Sequence, residues 1–169
     1  MIVARDTEIL EGKELVATIG FFDGVHLGHQ FLIEEMLSVA RARNLPAAVI
    51  TFPEHPRAVL HADYQPKLLN SFDEKLKHLD ATGVDYCVVL DFTVELSQLC
   101  AKDFIQQILC KRLHVHTLLI GYDHRFGHNR SEGFNEYYQY GKEIGMDVVR
   151  AKALTIEGRK VSSSEIGRA

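Results

Sequence analysis

One segment constrains the fold of this chain more than any other, because it joins a strand pattern to a helix pattern through a glycine-rich turn. It reads I-G-F-F-D-G-V-H-L-G-H-Q-F-L from Ile19 to Leu32. The preceding run from Leu15 to Phe22 is nearly all apolar, which is typical of a parallel strand buried on both faces. Apolar residues then recur at helical spacing until Pro46 stops the run. Such a junction presents helix N–H groups and a partial positive charge, which favours phosphate binding.

The residues of this loop indicate how it would treat a phosphate. Gly20, Gly24 and Gly28 remove side chains where the backbone turns sharply or a ligand comes close. Gly28 lies between His26 and His29, so both imidazoles can reach one ligand. Histidines that donate hydrogen bonds to a phosphate under attack stabilise the charge that builds in the transition state. We therefore expect His26 and His29 to be catalytic.

Two other interpretations of these histidines remain open. A pair three residues apart on a helix can share a zinc ion, although a third ligand and the H-E-x-x-H spacing are missing. Both can also be ordinary surface histidines at a helix start. The phosphate loop that ends in G-K-[ST] and the dinucleotide fingerprint G-x-G-x-x-G are both absent from the segment, so neither of those better known loops applies.

The whole chain has the size and composition of one soluble globular domain. It has 169 residues, of which 46% are hydrophobic and 25% charged, and a formal net charge of −4. Neither a basic nucleic-acid surface nor a membrane span or signal peptide is evident, so we expect a cytoplasmic protein without nucleic-acid or membrane partners. Cys87, Cys100 and Cys110 are odd in number and lie in apolar stretches, which predicts buried thiols rather than disulfides or zinc ligands.

Strands alternate with helices along the chain. Besides the strand from Leu15, short branched apolar runs predict strands at 47–52, 86–90, 117–120 and 146–150. Helices are predicted from Ser71 to residue 83, at 101–113, and from Ser131 or Glu132 to residue 145. This alternation predicts an α/β fold with a parallel sheet of about five strands and helices on both faces. Ligands in such sheets lie beyond the carboxyl ends of the strands.

Two further loops that follow strands are candidates for substrate binding. The loop T-F-P-E-H-P-R at 51–57 places two prolines around His55, which is either a substrate contact or part of a stiff turn. The loop G-Y-D-H-R-F-G-H-N-R at 121–130 carries Asp123, Arg125 and Arg130. Guanidinium groups suit phosphate oxygens, so we expect Arg125 and Arg130 to bind substrate phosphate, with a merely exposed basic loop as the alternative.

The C-terminal segment combines basic side chains with three hydroxyls. Ser162 and Glu165 form a capping-box pattern, which predicts that a helix begins there. Lys160 with Ser162, Ser163 and Ser164 would then make a second anion site, while plain capping is the alternative. Two helix N-termini can hold a polyphosphate from both ends and fix its reacting phosphorus in place.

The motifs G-F-F-D-G-V-H-L-G-H-Q, T-F-P-E-H-P, G-Y-D-H-R-F-G-H-N-R and V-S-S-S-E-I occur in this order. Together they resemble the adenylyltransferase module of bacterial bifunctional FAD synthetases, in the nucleotidyltransferase superfamily. The resemblance implies a Rossmann-like fold over residues 1–169 and transfer of AMP from ATP, with magnesium, to FMN, giving FAD and pyrophosphate. It also implies a domain cut from a longer protein, with a linked riboflavin kinase module that is absent from this chain.

The resemblance assigns the first loop to ATP. His26 and His29 would contact its phosphates, and Gly20, Phe21 and Asp23 would line the nucleotide side of the loop. The transfer would be a direct in-line attack of the FMN phosphate on the α phosphorus, without a covalent enzyme intermediate.

The resemblance assigns the C-terminal motif to the leaving group. Lys160 and Ser163 would act in catalysis, holding the departing pyrophosphate together with Ser162. Asp123 would lie near the join between nucleotide and flavin. The family commonly has S-S-x-x-I-R in this motif, and Gly167 stands here in place of the arginine.

Two rival functions remain open. The same transfer chemistry could use another acceptor, such as phosphopantetheine, nicotinamide mononucleotide or an alcohol phosphate that takes CMP. Alternatively, the chain could bind a flavin or nucleotide without catalysis. The aromatic residues Phe22, Phe52, Tyr122 and Phe126 could stack on the flavin or fill the core, and the core interpretation is favoured.

Overall fold

The computed structural model describes residues 1–4, 14–20, 22, 27–52, 72–91, 93–121, 132–151, 154–156 and 159–161. The strands β1 to β8 are Ile2–Ala4, Leu15–Ile19, Ala47–Thr51, Tyr86–Val89, Val115–Ile120, Asp147–Arg150, Leu154–Ile156 and Arg159–Val161. The helices α1 to α4 are Leu27–Arg43, Phe72–Asp80, Val94–Ser97 and Ala101–Asp103; a π-helix, Phe104–Arg112, and α5, Phe134–Lys142, follow.

The first six strands form one parallel sheet in the order β1-β4-β3-β2-β5-β6. The chain fills one side of β2 with β3 and β4, and then crosses to the other side for β5 and β6. The strand order therefore reverses between β2 and β5, which is where open α/β sheets form a ligand crevice. The strands β7 and β8 make a separate antiparallel pair.

Helices cover both faces of the sheet, as the alternating pattern predicts. On one face, Val16 of β2 packs in a cluster with Ile33 and Met36 of α1. On the other face, Leu15 of β2 shares a cluster with Ile105 of the π-helix and with a buried tyrosine of α5. All five residues of both β2 and β3 are buried, which explains why four of the five in each strand are apolar.

Several element boundaries differ from the sequence-based expectation. The helix expected at 101–113 begins as α4 and continues as a π-helix, in which the Leu113 N–H bonds the carbonyl of Ile108 at 3.0 Å, five residues earlier. Gly83 and Gly145 have φ of +90° and +78° after α2 and α5, as expected of glycines that end helices. The strand β1, the short helix α3 and the β7–β8 pair were not predicted.

The cysteines are only partly as expected. All three are free thiols, but Cys87 alone is buried, Cys110 is half-buried and Cys100 is exposed. The prediction of a buried thiol is therefore wrong for Cys100, which precedes α4 at the surface. Within the described parts of the chain, no helix combines the length and apolarity needed to cross a membrane.

Candidate functional site

The glycine loop leaves the sheet at the carboxyl end of β2, beside the reversal in strand order. Gly20 follows β2, and its N–H donates to the carbonyl of Ile50 on β3 at 3.0 Å, so the backbone stays on the sheet for one further residue. A Cβ atom at Gly20 would stand 3.2 Å from the ring of Phe22. Glycine therefore lets this ring approach the backbone closely.

Phe22 contacts the first turn of α1. Its φ is +58°, in the left-handed region that bulky residues rarely adopt, and its side chain is only 2% exposed. Its ring meets the imidazole of His29 edge-on, with ring centroids 5.0 Å apart and an interplanar angle of 73°. Phe22 and Phe52 are both buried, which confirms the core interpretation for these two aromatics.

The helix start that follows is suited to an anion. Because α1 begins at Leu27, Gly28 and His29 lie in its first turn, where backbone N–H groups lack intrahelical partners. The first turn contains no acidic residue, whereas Arg41 and Arg43 lie in the last turn. Within this first turn no acidic side chain neutralises the positive end of the helix dipole, which therefore favours a negatively charged ligand.

Polar side chains interrupt the apolar interior below this loop. Thr18 of β2 and Thr51 of β3 are fully buried. No hydrogen-bond partner of Thr18 Oγ1 lies among the residues that the structure describes. Thr51 Oγ1 accepts a hydrogen bond from Nζ of Lys75 on α2 at 3.3 Å, and the same ammonium donates to the carbonyl of Phe52 at 2.9 Å.

Lys75 was not among the residues singled out in the sequence, although a signal for it exists. It lies four residues before Leu79, which is fully buried, so both side chains point from the same face of α2. A lysine on the apolar face of an amphipathic helix departs from the usual pattern, because an ammonium group is rarely buried unless it is paired.

Glu132, the first described residue after the loop that follows β5, is held by two tyrosines of α5. The hydroxyl of Tyr137 donates to the carbonyl of Glu132, and that of Tyr140 donates to the Glu132 carboxylate, each at 2.8 Å. The bond to this carboxylate, followed by burial and nearby negative charge, raises the pKa of Tyr140 to about 12. Two tyrosines of α5 therefore hold the residue that ends this loop.

The structure brings some of the expected site residues together. The ring of Phe22 lies close to Gly20 on one side and contacts the imidazole of His29. Gly28 is the neighbour of His29 in α1. Lys160 lies on β8, where it pairs with Thr155 of β7. The other expected site residues lie outside the described residues: Phe21, Asp23, His26, His55, Asp123, Arg125, Arg130, Ser162, Ser163 and Ser164.

Neither a zinc nor a magnesium site built from protein ligands can be recognised in the described ranges. No three or more His, Cys, Asp or Glu side chains come together there in a way that could hold a metal ion.

The fold and the site define a class of protein. An open parallel α/β sheet with a glycine loop and a helix start at the strand reversal is an arrangement found among nucleotide-binding proteins. A family model described as FAD synthetase matches residues 9–165. The chain belongs to the FAD synthetase family, and the resemblance noted in its sequence is confirmed.

Two curated relatives carry the name bifunctional riboflavin kinase/FMN adenylyltransferase. The protein of Escherichia coli (strain K12) is 36% identical over 154 residues, which is 91% of this chain and 49% of the relative. That of Haemophilus influenzae is 34% identical over 161 residues, which is 95% of this chain and 52% of the relative. The chain spans about half the length of the curated relatives it matches.

A solved structure shares the fold. The crystal structure of a macrolide-efflux protein from Streptococcus pneumoniae matches with a TM-score of 0.80 and 26% sequence identity, covering 99% of this chain and 56% of that chain. This match fits a nucleotidyltransferase-like α/β architecture, as expected.

Proposed function

We propose that this chain is an FMN adenylyltransferase, which transfers AMP from MgATP to FMN and gives FAD and pyrophosphate. The observation that carries the proposal is the family match over residues 9–165, combined with a histidine-bearing helix start at the reversal of strand order. The curated relatives named above support the choice of FMN as acceptor, since each is named an FMN adenylyltransferase.

The start of α1 would bind the ATP phosphates. Its backbone N–H groups and helix dipole favour an anion. His29, held against the ring of Phe22, would donate a hydrogen bond to a phosphate oxygen, and His26 would do the same from the loop. Because the ring fixes the imidazole before substrate arrives, little reorganisation would be needed during the reaction.

The chemical step would be a single displacement. An oxygen of the FMN phosphate attacks the α phosphorus of ATP, and the bond from that phosphorus to the bridging oxygen of the β phosphate breaks, so pyrophosphate leaves with the electron pair. Magnesium would enter as part of the MgATP substrate and neutralise phosphate charge.

The remaining site residues are proposed from the sequence motifs. Lys160, Ser162, Ser163 and Ser164 would hold the departing pyrophosphate. His55, Asp123, Arg125 and Arg130 would bind substrate, with Asp123 near the join between nucleotide and flavin. We also propose that residues 1–169 form one adenylyltransferase domain, that a riboflavin kinase module is linked to it in the full-length protein, and that the reaction takes place in the cytoplasm.

Product chromatography tests this proposal. The purified chain would be incubated with magnesium and ATP, and with FMN, phosphopantetheine or nicotinamide mononucleotide in parallel tubes. We expect FAD in the flavin tube and no adenylylated product in the others. A product only in another tube would identify a different acceptor, and binding of ATP and FMN without product would indicate a noncatalytic domain.

A further inference from the structure

The pairing of β2 with β5 has an irregularity at the end of the sheet opposite the site. Leu15 is the register partner of Val115. The next residue of β2, Val16, is the partner of Thr117, so His116 is an extra residue on β5. Consecutive side chains of a regular strand point to opposite faces, yet Nδ1 of His116 lies 2.8 Å from Oγ1 of Thr117. The bulge accounts for this approach, because bulges re-aim side chains.

The last residue of α1 joins this pair of side chains. The guanidinium of Arg43 donates to Oγ1 of Thr117 at 2.9 Å and forms an ion pair with Asp147, the first residue of β6. Because a guanidinium can only donate, the Thr117 hydroxyl accepts this bond, and its own proton can be donated to Nδ1 of His116. Arg43 therefore connects the end of α1 to both β5 and β6.

The turn after α1 holds the same end of the helix to the middle of the sheet. Asn44 has a φ of +55°, in the left-handed region that asparagine tolerates at a helix end. The N–H of Val16 donates to the carbonyl of Pro46 at 2.9 Å, directly before β3 begins. The carboxyl-terminal end of α1 is thus held at β2 as well as at β5 and β6.

Two kinds of contact hold α1 on the sheet. Along the helix, Ile33 and Met36 pack in a cluster with Val16, and such apolar contacts are not directional. The bonds of Arg43 are directional and charge-assisted. The side chains of Arg43 and Asp147 are 35% and 41% exposed, and exposed ion pairs contribute little to stability. The direction that Arg43 gives to α1 should therefore matter more than the stability it adds.

The helix reaches from this anchored end to the glycine loop. Its 17 residues form a rod of about 25 Å, at about 1.5 Å per residue. A shift of the Arg43 end along the helix axis therefore moves the first turn by the same distance. The imidazole of His29 lies in that turn and meets the ring of Phe22, with ring centroids 5.0 Å apart.

We infer that Arg43 is a positioning residue. Its bonds to Thr117 and Asp147 set the place of α1 along the sheet, and through the helix they set the place of His29 beside Phe22. The consequence for catalysis rests on the proposed function, in which the start of α1 binds the ATP phosphates. A misplacement of about 1 Å at such a site costs up to about 100-fold in rate.

The test compares variants of the last turn of α1. Arg43→Met removes the guanidinium and keeps an apolar stem, whereas Arg43→Lys keeps the charge. Arg41→Met is the matched control, since Arg41 is an exposed basic residue of the same turn. Asp147→Asn weakens the ion pair without changing α1, so it keeps the comparison available should R43M not fold. Thermal melting first establishes that each variant is folded.

Two readouts follow. The first is the NMR resonance of the His29 imidazole in the chain without substrates, assigned with the variant His29→Asn. This resonance senses the aromatic ring of Phe22 through its ring current, so it reports the place of the helix start. The second readout is the kcat, the KM for ATP and the KM for FMN, each per folded molecule.

We expect R43M to shift the His29 resonance and to raise the KM for ATP by about 10-fold, as for a slightly misplaced binding group. The KM for FMN should be unchanged, because the start of α1 faces ATP in the proposed function. R43K should recover part of both effects, and R41M should match the wild type. D147N should give a smaller change of the same kind and should add little to R43M, because the ion pair is already lost there.

Three results would overturn the inference. One is a wild-type His29 resonance in folded R43M. Another is a shifted resonance with a wild-type KM for ATP. The third is an equal change in R41M and R43M, which would indicate loss of charge at the helix end rather than loss of the bonds to the sheet. If the wild-type chain forms no FAD, the proposed function fails, and the His29 resonance alone decides whether Arg43 positions α1.

Discussion

Replacement of Gly141 by alanine should destabilise the fold through two close contacts of the added Cβ atom. Gly141 is buried in α5, where the helix packs against β6. An added Cβ would stand 2.6 Å from Cγ2 of Val148 and 2.9 Å from the carbonyl oxygen of Met146. Side chains do not normally approach so closely, and the second contact is with backbone, so the helix must move away from the sheet.

The size of the effect follows from two opposing terms. Overpacking a well-packed interior costs about 1–3 kcal/mol, and the upper end applies here because a backbone oxygen cannot rotate aside. Alanine in place of glycine gains about 1 kcal/mol of helix propensity. The net loss in the free energy of unfolding is therefore about 2 kcal/mol, which corresponds to a fall in Tm of about 4–8 °C for a chain of this size.

Thermal and urea unfolding of G141A measure this loss. The matched control is Gln139→Ala, an exposed position on the same helix, which should change the free energy of unfolding by no more than about 0.5 kcal/mol. In the G141A/V148A double variant one of the two contacts disappears, so its total loss should be smaller than the sum of the single losses. A Tm for G141A equal to or above that of the wild type would refute the packing argument.

Two further predictions concern the site and its surroundings. H29A should lower kcat by about 100-fold or more with an unchanged circular dichroism spectrum, as expected for loss of a transition-state donor, and unchanged turnover would remove His29 from the mechanism. Because the pKa of Tyr140 is raised from 10.0 to about 12 in the fold, its contribution to stability is fully present below pH 10.0 and is lost as the pH rises toward 12. Urea titrations across this range should show a smaller alkaline loss in Y140F than in the wild type, and identical pH dependence would contradict the assignment.

The sheet could be predicted because burial alone determines its sequence pattern. Runs such as 15–19 and 47–51 are buried on both faces, so four of the five residues in each are apolar. The edge strand β1 escaped prediction because it has three residues, and Ile2 and Val3 are 52% and 37% exposed. A strand this short and this exposed carries no distinctive pattern.

The site could be predicted as a set of motifs but not as a set of contacts. The positive φ of Phe22, which brings its ring to His29, depends on tertiary packing that residue types do not reveal. The bond from Lys75 to Phe52 joins residues that lie far apart in the chain. A charged residue on a helix is usually solvated, and only the structure shows that Lys75 is buried against the end of β3.

The proposed function depends on a direct transfer of AMP from ATP to FMN. The most direct measurement incubates the chain with FMN and with ATP labelled at either the α or the γ phosphorus, and follows the label in flavin, pyrophosphate and protein. We expect α label in FAD in equal amount to the FAD formed, γ label in pyrophosphate, and no label bound to protein. Transfer of γ label to the flavin, or α label held covalently on the protein during turnover, would contradict it.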